Sequence, residues 1–253
     1  MSELPDPIPA ATLILMRAGP AGGAAELLII ERAATMAFAA GALVFPGGRI
    51  DPDDHLTAQP YVGAFPDAAA RIAAIRETIE ETGIAPALLP VPDAAVAAAL
   101  RDGLARGTPF SRLLVASGLR PDPGALTLFA RWCPNFRETR RFDTLFFLCE
   151  APSAQAAATA DATEAVRLLW ASAADVLAEA EAGRARLIFP TRRNLERLAG
   201  LPSLDAARSD AERHPAEKVV PWIEERGGRQ WLCIPEGIGY PVTAELLETA
   251  RRS

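Results

Sequence analysis

The chain has 253 residues, with 26 Lys and Arg against 32 Asp and Glu, and its net charge of −6 argues against a general binder of nucleic acid or of membrane surfaces. Half of it is hydrophobic but only 6% is aromatic, so a core is expected to rest on Leu, Ile, Val and Ala. There is no apolar run of membrane-spanning length and no charged-then-apolar leader, and Cys133, Cys149 and Cys233, widely spaced and odd in number, do not suggest a disulfide framework, so the expectation is a cytoplasmic protein. Neither His55 nor His214 has a partner at zinc-ligand spacing.

In chain order, residues 1–9 read as a disordered lead-in. Ala11 to Met16 and Glu26 to Glu31 read as strands joined by a Gly/Pro turn, and Ala42 to Phe45 as a third strand running into Pro46-Gly47-Gly48. Adjacent glycines let the backbone turn sharply and aim its polar groups at a ligand; an ordinary tight turn is the plainer alternative. Asp51 to Pro66 is rich in Pro, Asp and Gly and reads as a loop over a site, a semi-rigid lid or wall without a helix. Asp67 is a candidate N-cap and Gly83 a candidate stop for the helix between them.

Beyond it, Asp93 to Arg106 and Pro109 to Ser117 read as helices, and Ala125 to Cys133 as a strand. Phe142 to Glu150 is nearly continuous apolar and reads as a central strand. Ala165 to Trp170 adds a strand and Ser172 to Ala182 a helix. Two short helices, Pro190 to Ala199 and Ser203 to His214, precede a hairpin from Val219 to Pro235 that turns at Arg226-Gly227-Gly228-Arg229. Residues 10–185 read as the main domain. Residues 186–253, marginal for an independent fold, read as an extension packed on it.

The helix between Asp67 and Gly83 carries the chemistry. Ile72, Ile75 and Ile79 share one stripe; Glu77, Glu80 and Glu81 lie opposite, three carboxylates within about one turn. Such a cluster repels itself unless a cation sits over it, and hard divalent ions take clustered carboxylate oxygens together with phosphate oxygens. A solvated acidic face is the plainer alternative.

Arg76-Glu77-x-x-Glu80-Glu81-x-Gly83, behind Pro46-Gly47-Gly48, resembles the Nudix box: Gly, five residues, Glu, seven residues, Arg-Glu-hydrophobic-x-Glu-Glu-x-Gly-hydrophobic. The spacing departs from it, because 27 residues separate Gly48 from Arg76 where the box has thirteen. Counting forward from Gly48, Asp54 falls at the first Glu; counting back from Arg76, Ala68 does. That Glu is expected to be lost or moved, to Asp51, Asp53 or Asp67. Thr78 stands at an apolar position of the box.

Leu27 to Arg32, Met36 to Gly41, Phe45 to Asp51, Thr139 to Thr144 with Phe146 to Cys149, and Arg192 to Leu204 resemble the acyl-coenzyme A diphosphatase branch of animal peroxisomes, which also carries an insertion between its glycines and its Arg-Glu helix. Ala37 departs from the coenzyme A signature of a neighbouring branch, which places arginine there. The chain ends Arg251-Arg252-Ser253, without a peroxisomal Ser-Lys-Leu.

The resemblance implies an α/β (α+β) fold, the Nudix α/β/α sandwich with a mixed sheet, here with an insertion inside the box and a C-terminal extension. It implies hydrolysis of a diphosphate bond in a nucleoside diphosphate linked to another moiety, coenzyme A or acyl-coenzyme A first. Mg²⁺ or Mn²⁺ would sit on Glu77, Glu80, Glu81 and the Gly47 carbonyl, with Arg76 orienting the carboxylates. Arg49, Arg137, Arg140 and Arg141 are candidates for binding the substrate phosphates. The general base is open, with Glu77 first and Glu138 or Glu164 next. ADP-ribose and NADH-type dinucleotides are rival substrates, and a non-catalytic nucleotide sensor is the alternative from another class. A small-molecule substrate is the expected partner, nucleic acid and membrane are not, and a homodimer is left open.

Overall fold

The computed structural model describes residues 6–33, 39, 41–134, 141–153 and 165–250. Its frame is a mixed sheet. Strand β1 (Ile8–Arg17) runs parallel to β8 (Phe142–Glu150) in unbroken register from Ile8↔Phe142 to Met16↔Glu150. Strand β7 (Thr127–Trp132) pairs antiparallel to β8 on its far side, so β8 is flanked on both edges. Both faces of β1 and β8 are covered, which is why they read as continuous apolar runs. Leu13, Leu15, Phe147 and Cys149 enter one core, and Ile14, Met16, Phe146 and Leu148 the other.

The feature that makes room for a site is a split between β1 and β2 (Glu26–Arg32). The two pair only at Met16↔Leu27 and Arg17↔Glu26. Past that point they part, and the following chain fills the wedge. Strand β3 (Ala42–Val44) pairs with β2, then Phe45 and Pro46 cross over, and β4 (Gly47–Arg49) pairs with β1 at Thr12↔Gly47 and Ala10↔Arg49. Glycine is required in this crossing. A Cβ on Gly47 would collide with Thr12 and the Ala11 carbonyl, and one on Gly48 with the Glu77 carboxylate. The short Gly-Gly-Arg strand has no apolar alternation, so its sequence reads as a turn.

On one face lies a helical layer. The Asp51 to Pro66 insertion is not the loop its composition suggests. It forms helix α1 (Pro52–Ala58) and a 3₁₀ turn at Gln59–Tyr61. Pro52 opens the helix instead of breaking it, because the first turn needs no N–H from it. Asp51 caps it, with its N–H donated to the Asp54 carboxylate at 2.8 Å in a reciprocal capping box. The box helix, α2 (Ala68–Thr82), starts after Asp67 and stops at Gly83, which takes a left-handed φ of 71°. The expected one-sided stripe is wider in the structure: Ala70, Ala73, Ala74 and Thr78 are buried along with the three isoleucines. Thr78 is tolerated there because its hydroxyl donates to the Ala74 carbonyl at 2.7 Å. After β5 (Leu88–Leu89), α3 (Ala94–Ala105) and α4 (Phe110–Ser117) complete the layer, and β6 (Arg120–Pro121) pairs with β5.

The opposite face is covered by later chain. Strand β9 (Ala165–Ser172) pairs with β2 and leads into α5 (Ala173–Glu181). Then β10 (Arg186–Leu187) joins the sheet edge beside β3, followed by α6 (Phe189–Ala199) and α7 (Leu204–Arg213). Strand β11 (Lys218–Val219) extends the sheet beyond β7. Strands β12 (Trp222–Arg226), β13 (Arg229–Cys233) and β14 (Ala244–Leu246) form a small separate sheet before α8 (Leu247–Ala250). Residues of the C-terminal segment, among them Leu195, Leu198, Ala207, Leu232 and Leu247, share one core cluster with Ile14, Ile29, Trp132 and Leu148 of the sheet. Toward the N-terminus, Ile8 and Pro9, expected in the lead-in, already belong to β1.

A polar thread runs through that second core. The buried Trp132 indole N–H donates to the Tyr240 hydroxyl at 2.8 Å, which donates to Asn194 Oδ1 at 3.0 Å. Tyr240→Phe would strand both partners away from water. It is expected to lower the unfolding free energy by about 2 kcal/mol in urea titrations, with the fold retained.

Candidate active site

Where β1 and β2 part, a cavity of about 490 Å³ opens. Its floor is the sheet face of Ala10, Thr12, Thr144 and Phe146. Phe45, Trp132 and Phe142 add aromatic wall, and Ile188, Pro190 and Thr191 of the C-terminal segment close one side. Gly47, Gly48, Arg49, Asp51, Arg76, Glu77 and Glu80 form the polar end, with Arg32 and Arg141 also on the lining.

Arg76 organises that end. The residue is 6% exposed, and its guanidinium donates from Nε and Nη2 to the two oxygens of Asp54 at 3.0 and 2.9 Å. Its remaining donors go to Glu77 Oε1 at 2.9 Å, to Glu80 Oε2 at 3.3 Å and to the Arg49 carbonyl at 2.9 Å. Asp54 is completely buried. Burial pushes its carboxyl upward, and the hydrogen bonds and charge of Arg76 oppose that. Arg76 stays charged: burial works against its proton, but Asp54 and Glu77 together hold it more firmly than usual. A planar fork with five donors suits this four-way task; an ammonium does not.

Of the carboxylates between the glycines and the box helix, it is thus Asp54, the position reached by counting forward from the glycines, that pairs bidentately with Arg76. Of the alternatives, Asp51 caps α1 and lies 3.9 Å from Arg76, Asp53 accepts from Ser111, and Asp67 accepts from Arg71 Nε. The insertion packs on α2, with Ala58 in the core and the Tyr61 hydroxyl donating to the Pro121 carbonyl at 3.0 Å. Of its residues only Asp51 reaches the cavity lining, so it buttresses the box helix and is not the lid expected from its position.

The three glutamates are not equivalent. Glu77 and Glu80 line the cavity, whereas Glu81 is 1% exposed and lies behind them. Glu81 Oε2 accepts the Gly47 N–H at 2.9 Å, and its other oxygen is 3.6 Å from Arg32. The glycine strand and the box helix are thus tied by a carboxylate at the point where both face the cavity. Burial pushes the Glu77 carboxyl up to about 7; the Arg76 charge opposes the rise and the Glu80 charge adds to it. Of the candidates for phosphate binding, Arg49 and Arg141 line the cavity, while Arg137 and Arg140, like Glu138 and Glu164, lie outside the described residues.

Among the described residues no three carboxylate, imidazole or thiol groups close on one point as they would around a bound ion. The donor set nevertheless suits a hard divalent cation. It consists of carboxylate oxygens, and one of its members, Glu77, is buried with too little positive charge around it to ionise at its ordinary value. Among the same residues, no helix is long and apolar enough to cross a membrane.

The Glu77 carboxyl is raised from 4.5 to about 7, so its protonated form stabilises the fold fully below pH 4.5, and that stability is lost as pH rises through 7. In excess chelator, unfolding free energy should fall by about 3 kcal/mol more between pH 4.5 and 8 in the wild type than in Glu77→Gln. Parallel pH profiles of urea unfolding check this, and superimposable profiles would contradict it.

No family model matches the chain. The crystal structure of a NUDIX hydrolase from Alicyclobacillus acidocaldarius is similar with a TM-score of 0.71 and 32% identity, over 81% of this chain and 96% of that one. The acyl-coenzyme A diphosphatase NUDT19 of Homo sapiens is 32% identical over 195 residues, 68% of this chain and 50% of that protein. The match therefore spans about half the length of this curated relative. Similarity along nearly the whole of a solved relative, on a mixed sheet between two helical layers, means that the chain belongs to the Nudix hydrolase family.

Proposed function

We propose that the chain hydrolyses the diphosphate bond of a nucleoside diphosphate linked to a second moiety, with Mg²⁺ or Mn²⁺ as cofactor and coenzyme A or an acyl-coenzyme A as substrate. The observation that carries the reading is the placement of Glu77 and Glu80 at the cavity's polar end, beside a glycine strand whose Gly48 lets the Glu77 carboxylate lie directly against the backbone. The substrate choice is supported by the human relative, itself an acyl-coenzyme A diphosphatase, and by the apolar and aromatic wall, which suits a large partly apolar ligand.

Glu77, Glu80, Glu81 and the Gly47 carbonyl would hold the cation. When bound, it supplies the positive charge that lets an anionic diphosphate lie beside carboxylates and be attacked by water. The chain's own groups do the rest. Arg76 acts through the glutamates, fixing the rotamers of Glu77 and Glu80 from behind without needing to touch substrate. Arg49 and Arg141 neutralise phosphate oxygens from the rim. Glu77 is placed to accept the proton of the attacking water, and a cation beside it would keep it ionised for that role.

Glu80→Gln and Glu81→Gln are each expected to cut kcat by about 100-fold or more. They should differ in stability. The Glu80 side chain is 41% exposed, whereas Glu81 is sealed against Gly47 and Arg32, so only Glu81→Gln should also lower Tm. The test is turnover with Mg²⁺ and Mn²⁺ over coenzyme A, acyl-coenzyme A esters, ADP-ribose, NADH and nucleoside triphosphates, with products identified by mass. Cleavage of coenzyme A esters at the diphosphate supports the reading in full, preference for ADP-ribose or NADH would move the substrate, and no metal-dependent turnover on any of them would remove the enzymatic reading.

A further inference from the structure

The wall contributed by the C-terminal segment has the makings of an anion site. Helix α6 begins at Ile188, whose side chain cannot accept a hydrogen bond, so nothing on its own residue caps the first turn. The N–H groups of Phe189 and Thr191 have no intrahelical acceptor, as at any helix start, and Arg192 is the first to bond back, to the Ile188 carbonyl at 3.0 Å. A helix with an apolar N-cap leaves its positive end uncompensated. Here that end faces the cavity, since Ile188, Pro190 and Thr191 all line it.

Thr191 is the independent observation. The residue is 2% exposed, what surface it keeps opens into the cavity, and its hydroxyl has no hydrogen-bond partner among the described residues. That hydroxyl is left to water or to a ligand in the cavity. Arg141 lines the same cavity, and so does Arg32, whose buried Nε has no partner among the described residues. Free N–H groups, an unpaired hydroxyl and guanidinium groups together recognise a phosphoryl dianion.

We propose that the N-terminal turn of α6, with the Thr191 hydroxyl, is a subsite for a phosphoryl group of the substrate that works without the metal and apart from the carboxylates. This deepens the diphosphatase reading and rests on it for the identity of the occupant. The phosphoryl group has two available sources: the diphosphate itself, or a separate phosphomonoester on the nucleoside. Either way, the C-terminal segment takes part in choosing the substrate.

The test is calorimetric binding in excess chelator, with adenosine as the phosphate-free reference and AMP, ADP and adenosine 3′,5′-bisphosphate as probes. Thr191→Val removes the hydroxyl at constant shape and is expected to weaken phosphate-bearing ligands about tenfold, with adenosine unchanged and Thr191→Ser close to wild type. A loss on AMP or ADP places a phosphoryl of the diphosphate on the turn; a loss seen only with the bisphosphate places a separate monoester there. If Thr191→Val does not fold, Ile188→Asp decides, because it brings a carboxylate to the same N–H groups and should exclude phosphate while raising Tm. Folded variants that bind every ligand as the wild type does, or that lose adenosine equally, overturn the subsite. Turnover with Mg²⁺, measured in parallel, separates the two readings. Thr191-dependent phosphate binding without turnover would overturn only the hydrolase reading, and turnover with unchanged phosphate discrimination only the subsite.

Discussion

The bidentate pair between Asp54 and Arg76 is the contact on which the polar end of the cavity depends. Two charges this deeply buried are costly to desolvate, and the cost is offset only when geometry and hydrogen bonds are complete. Here they are: both Asp54 oxygens are used by Arg76, one of them also by the Asp51 N–H, and the guanidinium spends its remaining donors on Glu77, Glu80 and a backbone carbonyl. The pair therefore does two things at once. It locks α1 onto the back of α2, and it sets the side-chain positions of the two glutamates that face the cavity.

The sheet supplies the other half of the arrangement. Because β1 and β2 pair for only two residues before parting, the crossing from β3 to β4 lays two glycines directly over the box helix. Glu77 occupies the space a side chain on Gly48 would need, and Glu81 holds the Gly47 N–H. Helix and strand thus meet at the cavity through backbone, carboxylates and the Arg76 guanidinium, which donates to the Arg49 carbonyl. The C-terminal segment completes the enclosure, since β10 docks beside β3 and delivers the start of α6 to the far wall, while Tyr240 and Asn194 hold Trp132 from behind.

Much of this was legible in the sequence, and the failures have physical reasons. The box helix could be read with both its ends, because Asp67 and Gly83 are strong local signals and its glutamates have a fixed angular spacing. Central strand β8 was legible because burial on both faces leaves a continuous apolar run. Helix α1 was missed because Pro52 was weighed as a breaker, although a proline directly after a capping aspartate, with a second aspartate three residues on, is a helix start. Misreading that helix hid the role of Asp54, since a loop gives no reason to bury a carboxylate. The split of β1 from β2 and the burial of Glu81 depend on pairings between distant segments, and two- and three-residue strands such as β10 and β4 are too short to show any period.

The most direct test of this account is a double-mutant cycle on Asp54 and Arg76, read as unfolding free energy in urea. Asp54→Ala and Arg76→Ala should each cost about 3 kcal/mol or more, because each leaves a buried charge without its bidentate partner. The double variant should cost no more than the worse single one, giving a coupling of about 3 kcal/mol. Costs that simply add would contradict the pair as the anchor of the box helix, and with it the assignment of Asp54 to the place of the first glutamate of the box.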